Sequence, residues 1–597
     1  MKSYLQFKRS TERGNALLLV MMMTVISAIA LAGAMQWVST NARLTTRNNE
    51  YYRAVATAEA ATEKVVAMMS KDFRDNSWAF VDNRLSNYRA ALPTAGESAH
   101  WQDWTFSDPS GSTNGIYVRR NAGTNFVQLD SQYAGLRGTA ATYSVIANAS
   151  QTVAGQAPIA AAVRQQFQLA TIPIFQFAIF YGVLMELHPG PNFTVTGRVH
   201  ANDALYYSSG SGLTFNSHVT TVGNLLNAWA PGDSNHSGTP GNSVTFNGEA
   251  DQHVAHLQLP IGTNNTAKAV REILNPAPST AVESPTSALG MQRFHNKANM
   301  VVTITNGAVT VTSGRYNNFA TVVPTNQWLN FIVTTNSFTD WREGKTVRPV
   351  DINVEALRTW NATNTVLRTV IPDNDVSSIY VNDQRTLTST ELAAVRVRNG
   401  AELPPDGLTV ATARPLYVQG NFNQPTSGYL GTTNTTTTKP ASFAADAVNV
   451  LSGSWLDANS AGSLLSTRVA SDTTVNAAFL SGIVPTLDSK RTSAEGGKYS
   501  GGVENYPRFL EKWSSRTFTY NGSMVVMFNS QYATNGWKYG GSIYEAPTRR
   551  WAFDLNFIDP TKLPPGTPQL TATVRGSWAV IKVGSTNTVA ESEVIIF

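Results

Sequence analysis

The apolar residues are distributed in three different ways along this chain, and the first is an uninterrupted run near its N-terminus. Between Ala16 and Val38 the sequence has no charged residue. As a helix that rises about 1.5 Å per residue, this run is about 35 Å long, and the hydrocarbon core of a bilayer is about 30 Å thick. We therefore predict a transmembrane segment over residues 16–38.

The second distribution follows directly and has a helical period. The positions that recur at spacings of three and four residues are Leu44, Tyr51, Val55, Ala58, Thr62, Val65 and Met69. Such spacings place side chains on one face of a helix. Because no proline interrupts the pattern, we predict one helix over residues 15–72. It is apolar all round in its first half and has one apolar stripe in its second half.

The third distribution begins beyond residue 72 and consists of short runs in which apolar and polar residues alternate. Alternation is typical of β-strands with one buried face. Residues 73–174 are predicted to form an antiparallel, β-rich head that packs on the helix stripe. Residues 175–345 contain closer and shorter strands, with a hairpin at Asn306-Gly307. They indicate a solenoid-like β-domain, either a parallel β-solenoid or a stacked sheet, whose repeat is too irregular to give a period.

The remaining sequence has mixed patterns. Residues 346–440 are predicted to form a connecting region, with a helix that starts at Asp351 and a flexible Thr-rich loop at Thr435–Thr438. Residues 441–597 are predicted to form an α+β domain. Its helices are predicted in SFAADAVNVLSGSWLDAN, TTVNAAFLSG and VENYPRFLEKW, and its strands in FTYNGSMVVMFNS, WAFDLNF and LTATVRGSWAVIKV. The predicted fold class is α+β, mostly β, with a long N-terminal helix followed by β-rich domains.

Composition narrows the classes of function. The 597 residues include 45 basic and 40 acidic side chains, and they contain no run of Lys and Arg that would follow a phosphate backbone. Nucleic acid is therefore not an expected partner. The chain has no cysteine, which excludes disulfides, iron–sulfur clusters and thiolate zinc sites.

Two sets of residues raise the question of a metal ion. Asp251, His253 and His256 are close in sequence, but on a strand the two histidines point to opposite faces and cannot share an ion. Asp373 and Asp375 carry oxygen ligands suitable for calcium, although an Asx-turn in a solvated loop explains them better.

Two further pairs of residues raise the question of catalysis. Glu504 and Glu511 could be a glycosidase pair, but the helix predicted there explains them better as residues of its surface face. His200 and His218 are predicted to be hydrogen-bonded turn or sheet residues. Because no nucleophile elbow, P-loop or dinucleotide motif is present, we expect no catalytic residue, no metal site and no cofactor.

The N-terminal residues carry a resemblance to a known family. A short basic leader ends at Glu12-Arg13-Gly14, the apolar run starts at Ala16, and the stretch YYRAVATAEAATEK contains Ala58-Glu59-Ala60. In these features the chain resembles PilX-type type IV pilus assembly proteins. Body segments such as FAIFY, HPGPN, GRVHAN and GGVENYPRFLEKW resemble large exported PilX-like proteins of no assigned activity.

This resemblance implies a pathway. Residues 1–14 would be a leader that a prepilin peptidase removes after Gly14, which leaves Asn15 as the mature N-terminus. The partners would be that peptidase, other pilin-like subunits and inner-membrane lipid. The chain would be a single-pass inner-membrane protein with its body in the periplasm or on an extracellular filament, and it would not be an enzyme. Major pilins have Glu at the fifth mature position and this chain has Leu19, which implies an initiating, tip or minor role.

Several alternatives fit the same residues. Ala32-Gly33-Ala34 offers a cleavage site for a secretory signal, which would leave a mature start near Met35. An uncleaved single-span anchor is a second alternative, because basic residues on both sides of the apolar run favour a cytoplasmic N-terminus only slightly. For the body, the alternatives are a membrane-anchored or secreted adhesin that binds carbohydrate, and an exported hydrolase.

Overall fold

The computed structural model describes residues 15–121, 123–151, 158–233, 235–280, 282–313, 321–367, 375–486 and 499–585. A single helix, Asn15–Asp75, opens the described chain and is 61 residues long. This confirms the long N-terminal helix. All residues from 15 to 49 are exposed, whereas one face of the part from Ala54 to Phe73 is buried.

An antiparallel sheet, here called the head sheet, covers the buried face of the helix. Its strands are Trp104–Ser107, Tyr117–Arg120, Asn125–Gln128, Arg137–Gln151, Ile159–Pro173 and Gln569–Ile581. The two long central strands pair along their whole length, and the strand from the end of the described chain pairs beside them. Two short helices, Trp78–Asn83 and Leu85–Arg89, link the long helix to the sheet.

The rest of the body is a parallel β-solenoid. Its first sheet has twelve strands, in the order Ala250–Asp251, Val219–Thr221, Val199–Ala201, Ile179–Tyr181, Met524–Asn529, Ala478–Ile483, Ala441–Ala445, Leu408–Thr412, Ser378–Asp383, Met300–Ile304, Val309–Ser313 and Thr321–Val322. All neighbours are parallel except the last three strands, which form the predicted hairpin around Asn306-Gly307 and its extension.

The second solenoid sheet faces the first across an apolar core. Its main path has seven strands: Ile332–Val333, Lys345–Asn353, Glu391–Gly400, Leu416–Phe422, Thr473–Asn476, Thr517–Gly522 and Thr548–Phe553. Three further strands pair beside this path: Phe338–Asp340, Val448–Leu451 and Arg508–Phe509. The four remaining short helices are Ala267–Arg271, Phe294–Lys297, Thr325–Trp328 and Val354–Thr363.

The coils between residues 179 and 246 have three sides and a period that the sequence did not reveal. Two three-stranded sheets complete them, Met185–Leu187 with Leu205–Tyr207 and Leu225–Leu226, and Phe193–Val195 with Ser209–Phe215 and Asn242–Phe246. On the twelve-stranded sheet the paired residues are 179, 199 and 219, and on the three-stranded sheet that starts with Met185–Leu187 they are 185, 205 and 225. The repeat is therefore about 20 residues, until the longer loop between Leu226 and Asn242 breaks it.

The order of coils in the stack differs from their order in the chain. Strand Met524–Asn529 pairs with Ile179–Tyr181, so the last coil of the solenoid lies directly beside the first one. Strands from 346–440 lie in the middle of both large sheets, and the residues after 553 return to the head through Gln569–Ile581. The last described strand therefore lies in the head sheet, where it contacts the long helix.

Three predicted helices are wrong. The segments after Pro440 and around Thr474 form buried parallel strands, and VENYPRFLEKW forms the turn Val503–Asn505 and the short strand Arg508–Phe509. A strand that is buried on both faces is apolar at consecutive positions, so its sequence does not differ from that of a buried helix. The helix predicted from Asp351 exists, but Asn353 caps it through the amide of Ala356.

The Thr-rich loop is tied to its surroundings by side-chain hydrogen bonds. Thr435 Oγ1 donates to Asp554 Oδ1 at 2.8 Å, and Asn556 Nδ2 donates to the carbonyl of Thr435 at 3.0 Å. Thr438 Oγ1 donates to that carbonyl at 2.8 Å. The segment Thr435–Thr438 therefore forms a turn between two coils of the solenoid, and these hydrogen bonds hold it in place.

Candidate functional site

The exposed half of the long helix carries a continuous series of exposed apolar side chains. Leu17, Met23, Ile29 and Trp37 are each more than 60% exposed. Two of its hydroxyl groups are satisfied locally, since Thr24 Oγ1 donates to the carbonyl of Val20 at 3.0 Å and Thr40 Oγ1 donates to that of Gln36 at 2.8 Å. In the part of the chain that the structure describes, this is the one helix long and apolar enough to cross a membrane.

The other half of the helix docks on the head sheet through small and medium side chains. The buried face carries Ala54, Ala58, Ala61, Val65, Val66, Met69 and Phe73. They pack against the inner face of the two long strands, including Val145, Val163 and Phe167. Three alanines at spacings of three and four let the sheet approach the helix backbone closely, and the larger residues fill the space further along.

Polar contacts fasten the rim of this junction. Gln165 Nε2 donates to Thr62 Oγ1 at 3.1 Å and to Glu63 Oε1 at 2.9 Å. Arg575, on the last strand of the head sheet, binds both carboxylate oxygens of Glu63 at 2.6 and 2.9 Å. The hydrogen bonds from Arg575 lower the pKa of Glu63 below its ordinary value. The C-terminal strand is thus linked directly to the helix.

The residues predicted for processing lie at the edge of the described chain. Asn15 is the first residue of the helix, and Gly14 lies outside the described residues. Asp373 also lies outside them, so the calcium hypothesis stays a prediction.

The predicted metal candidates are not brought together. Asp251, His253 and His256 are exposed, and His253 has a φ of 59°, which turns the backbone there. Among the described residues, the group of three ligands that lies close enough to share an ion does not include them. The absence of a metal site at these residues stays a prediction.

His200 is hydrogen-bonded, as predicted, and His218 lies close to a carboxylate. His200 contacts Thr220 Oγ1 at 2.8 Å and Asn202 Oδ1 at 3.0 Å, and its ring stacks on Phe180. His218 lies 3.3 Å from a carboxylate oxygen of Glu249. Both therefore serve contacts between neighbouring coils.

The prediction that Glu504 and Glu511 lie on a surface helix is wrong, because both are buried. The carboxylate of Glu504 accepts the backbone N–H of His188 at 3.3 Å. That of Glu511 accepts the hydroxyl of Ser452 at 2.7 Å and its backbone N–H at 2.6 Å. Burial raises the pKa of each carboxyl to about 7. They belong to separate networks, so they do not form a glycosidase pair.

One group of side chains was missed by the sequence analysis. Glu186, His188 and Asp233 each offer a ligand atom, and these atoms lie within 4.8 Å of one another. The pattern MELH contained a signal for two of them, since alternate residues of a strand share a face. Asp233 comes from a loop more than forty positions later, and nothing local in the sequence indicated that it joins them.

Comparisons with known proteins identify no family. No family model matches the sequence, and no curated protein matches it. Among solved structures, the chain is similar to the competence-associated pilin ComZ from Thermus thermophilus, at 11% identity and a TM-score of 0.27, over 89% of this chain and 97% of that one. At this TM-score the likeness carries no argument about fold or function.

Proposed function

We propose that this chain is a minor pilin-like subunit or assembly factor of a type IV pilus or a related filament or secretion system. The observation that carries the proposal is the division of the helix Asn15–Asp75 into an exposed apolar half and a half that holds the head. A continuous apolar surface of this size in water marks a site for lipid or for another protein. The exposed half of the helix provides such a surface, and neither the head nor the solenoid covers it.

The exposed half suits two successive environments. In lipid, a helix satisfies all its backbone groups internally, and its apolar side chains need no protein partner. In a filament, the same side chains would pack against helices of other subunits. A Cβ added at Gly33 would meet nothing within 4 Å in this chain. Alanines flank that glycine on both sides, and small residues let neighbouring helices approach closely.

The N-terminal residues refine the role. In the proposed pathway, a prepilin peptidase cuts between Gly14 and Asn15, and the new amine enters the apolar filament core. A buried charge without a partner is costly, and Leu19 cannot neutralise an amine. We therefore assign the chain to the start or tip of a filament, with its body in the periplasm or on the filament outside the cell. The proposal includes no enzymatic activity.

The mature N-terminus tests the proposal. We expect mass spectrometry of the protein isolated from membranes to find a peptide that starts at Asn15. Substitution of Gly14 by Ala is a matched control, and we expect it to leave the leader attached. A start near Met35 would contradict the proposal and indicate a secreted protein. Retention of Met1 in the unmodified chain would also contradict it and indicate an uncleaved membrane anchor.

A further inference from the structure

The cluster of Glu186, His188 and Asp233 lies on the flank of the solenoid, far along the chain from the helix. Strand Met185–Leu187 turns Met185 and Leu187 into the solenoid core, so Glu186 and His188 point outwards. Loops nevertheless cover them, and the two residues are only 3% and 7% exposed. Two polar side chains on an outer face are thus removed from water.

Each of these two side chains has one polar atom that is satisfied and one that is not. Glu186 Oε2 accepts the hydroxyls of Thr486 and Ser500, and Oε1 is buried with no hydrogen-bond partner among the described residues. His188 Nδ1 lies 3.0 Å from Ser208 Oγ, and in the same described part of the chain its buried Nε2 has no partner. An unpaired buried polar atom costs about 1–3 kcal/mol. Because both residues belong to one group of ligand atoms that lie within 4.8 Å of one another, two such atoms indicate a missing common partner.

The third ligand comes from the loop above them. Asp233 has a side chain with no exposed area, and its Oδ1 accepts the backbone N–H groups of Asn235 and His236. Its Oδ2 lies 2.6 Å from His236 Nδ1. These contacts fix the carboxylate in place and hold it towards Glu186 and His188.

The hydrogen bond of His188 prepares the ring for a metal. When Nδ1–H donates to Ser208, the lone pair of Nε2 is left free for a ligand bond. Histidines that bind metals almost always donate their other ring N–H to a fixed acceptor in this way. An ion with bonds of about 2.0–2.2 Å keeps its ligands about 3 to 4 Å apart, so a small side-chain adjustment closes the site.

Aromatic rings surround the cluster. Trp229 stacks on His236 with ring centroids 4.4 Å apart and contacts His188 edge-on at 5.0 Å. Tyr499 packs edge-on against His236. The side chain of His236 is 27% exposed, so it lies between the buried ligands and the solvent.

We propose that Glu186, His188 and Asp233 bind one divalent transition-metal ion, with Zn²⁺ as the representative ion. An imidazole with carboxylates suits Zn²⁺ and its first-row neighbours, whereas Mg²⁺ and Ca²⁺ prefer oxygen ligands alone. The ion would tie the strand Met185–Leu187 to the long loop that ends the regular repeat. This departs from the expectation that the chain has no metal site, and it does not depend on the proposed pilin role.

Zinc binding by the full-length protein in detergent tests this site. After removal of metals with a chelator, titration of wild-type protein with ZnCl₂ in a calorimeter is expected to show one saturable site per chain. Glu186→Gln and His188→Gln, which nearly preserve side-chain shape, are each expected to weaken binding at least about tenfold. His218→Gln is the matched control, because that histidine also pairs with a carboxylate on the solenoid, and it is expected to bind as the wild type does.

X-ray absorption of the zinc-loaded wild type provides a second measurement. It uses only the wild-type protein, so it does not depend on whether a variant folds. We expect one imidazole and otherwise oxygen ligands around the ion. The proposal is overturned if the wild type shows no saturable zinc binding, if it binds Ca²⁺ in preference to Zn²⁺, or if the absorption spectrum contains no histidine. It is equally overturned if folded His188→Gln binds as the wild type does.

Discussion

The head and the solenoid bury different kinds of side chain. The junction of helix and head sheet is filled with apolar residues, and its ion pairs lie at the rim, where Glu63 and Arg575 have side chains 37% and 62% exposed. The solenoid encloses whole ion pairs. Arg396 with Asp351 and Arg508 with Glu343 have side chains at most 5% exposed.

This difference indicates how each region keeps its shape. The head must fit one face of a helix, and close packing of apolar groups achieves that. The solenoid stacks parallel strands that carry charged residues inside the fold. Each of these buried charges needs a residue of opposite charge beside it. We therefore expect the head to respond mainly to changes of volume, and the solenoid mainly to changes of charge and protonation.

Loss of a buried guanidinium should have the largest effect. Arg396 binds both Asp351 and Asp457. Arg396→Met removes the positive charge that pairs with the fully buried carboxylate of Asp351, and it is expected to destabilise the solenoid by about 3–5 kcal/mol. Hydrogen exchange of peptides from Glu391–Gly400 measures this. Arg348→Met is the control, because the Arg348–Glu391 pair is partly exposed and should contribute less than about 1 kcal/mol. Equal effects of the two variants would contradict the contrast between the regions.

A cavity in the head should have the next largest effect. Met69 is fully buried against the head sheet, so Met69→Ala is expected to cost about 2–5 kcal/mol. Hydrogen exchange of the strands Arg137–Gln151 and Ile159–Pro173 reports it. Met35→Ala is the same substitution in the exposed half of the same helix, and it should leave these strands unchanged. If Met35→Ala weakened the protection of these strands as much as Met69→Ala does, the division of the helix into an exposed half and a docked half would be wrong.

The third effect is a pH dependence that belongs to the solenoid. The pKa of Glu511 is raised from 4.5 to about 7 in the folded chain, so between these values the folded state holds a proton that the unfolded state has lost. The free energy of unfolding therefore falls as pH rises through this window, by about 3 kcal/mol from this group. Urea unfolding of the wild type and Glu511→Gln at pH 5 and pH 8 measures it. We expect a flatter pH dependence for the variant, and identical slopes would refute the assignment.

The smallest effect should come from the rim of the head. Arg575→Ala removes an exposed ion pair with Glu63 and is expected to cost less than about 1 kcal/mol, with most of that lost at high salt. Unfolding of the wild type and the variant at low and high ionic strength tests this. A loss of several kcal/mol that persists in salt would mean that charge, rather than packing, joins the last strand to the helix.

The sequence predicted best where one face of an element is solvated. The helix stripe and the head strands each show a period, because polar residues mark the outer face. The hairpin at Asn306-Gly307 could be predicted from its turn residues. The prediction failed for Ala441–Ala445 and Ala478–Ile483, which are covered on both sides. Burial on both faces removes the polar residues that reveal a strand.

The apolar helix and the cluster of Glu186, His188 and Asp233 also differ in how far the sequence predicts them. The exposed apolar helix could be predicted, because its residues are continuous in sequence. The cluster at Glu186 depends on a fold in which a loop around Asp233 covers a strand from an earlier coil. Such a contact follows from the coil path, and the 20-residue repeat that sets this path is obscured by loops of unequal length.

Membrane retention tests the central claim that the exposed half of the helix requires an apolar environment. In Ile26→Lys with Ile29→Lys, two charges near the middle of the apolar run should cost about 5–7 kcal/mol of insertion free energy. The control carries Leu at both positions. We predict that the Leu variant sediments with membranes and resists carbonate extraction as the wild type does, whereas the Lys variant is lost from that fraction. Equal retention of the Lys variant and the wild type would contradict the account.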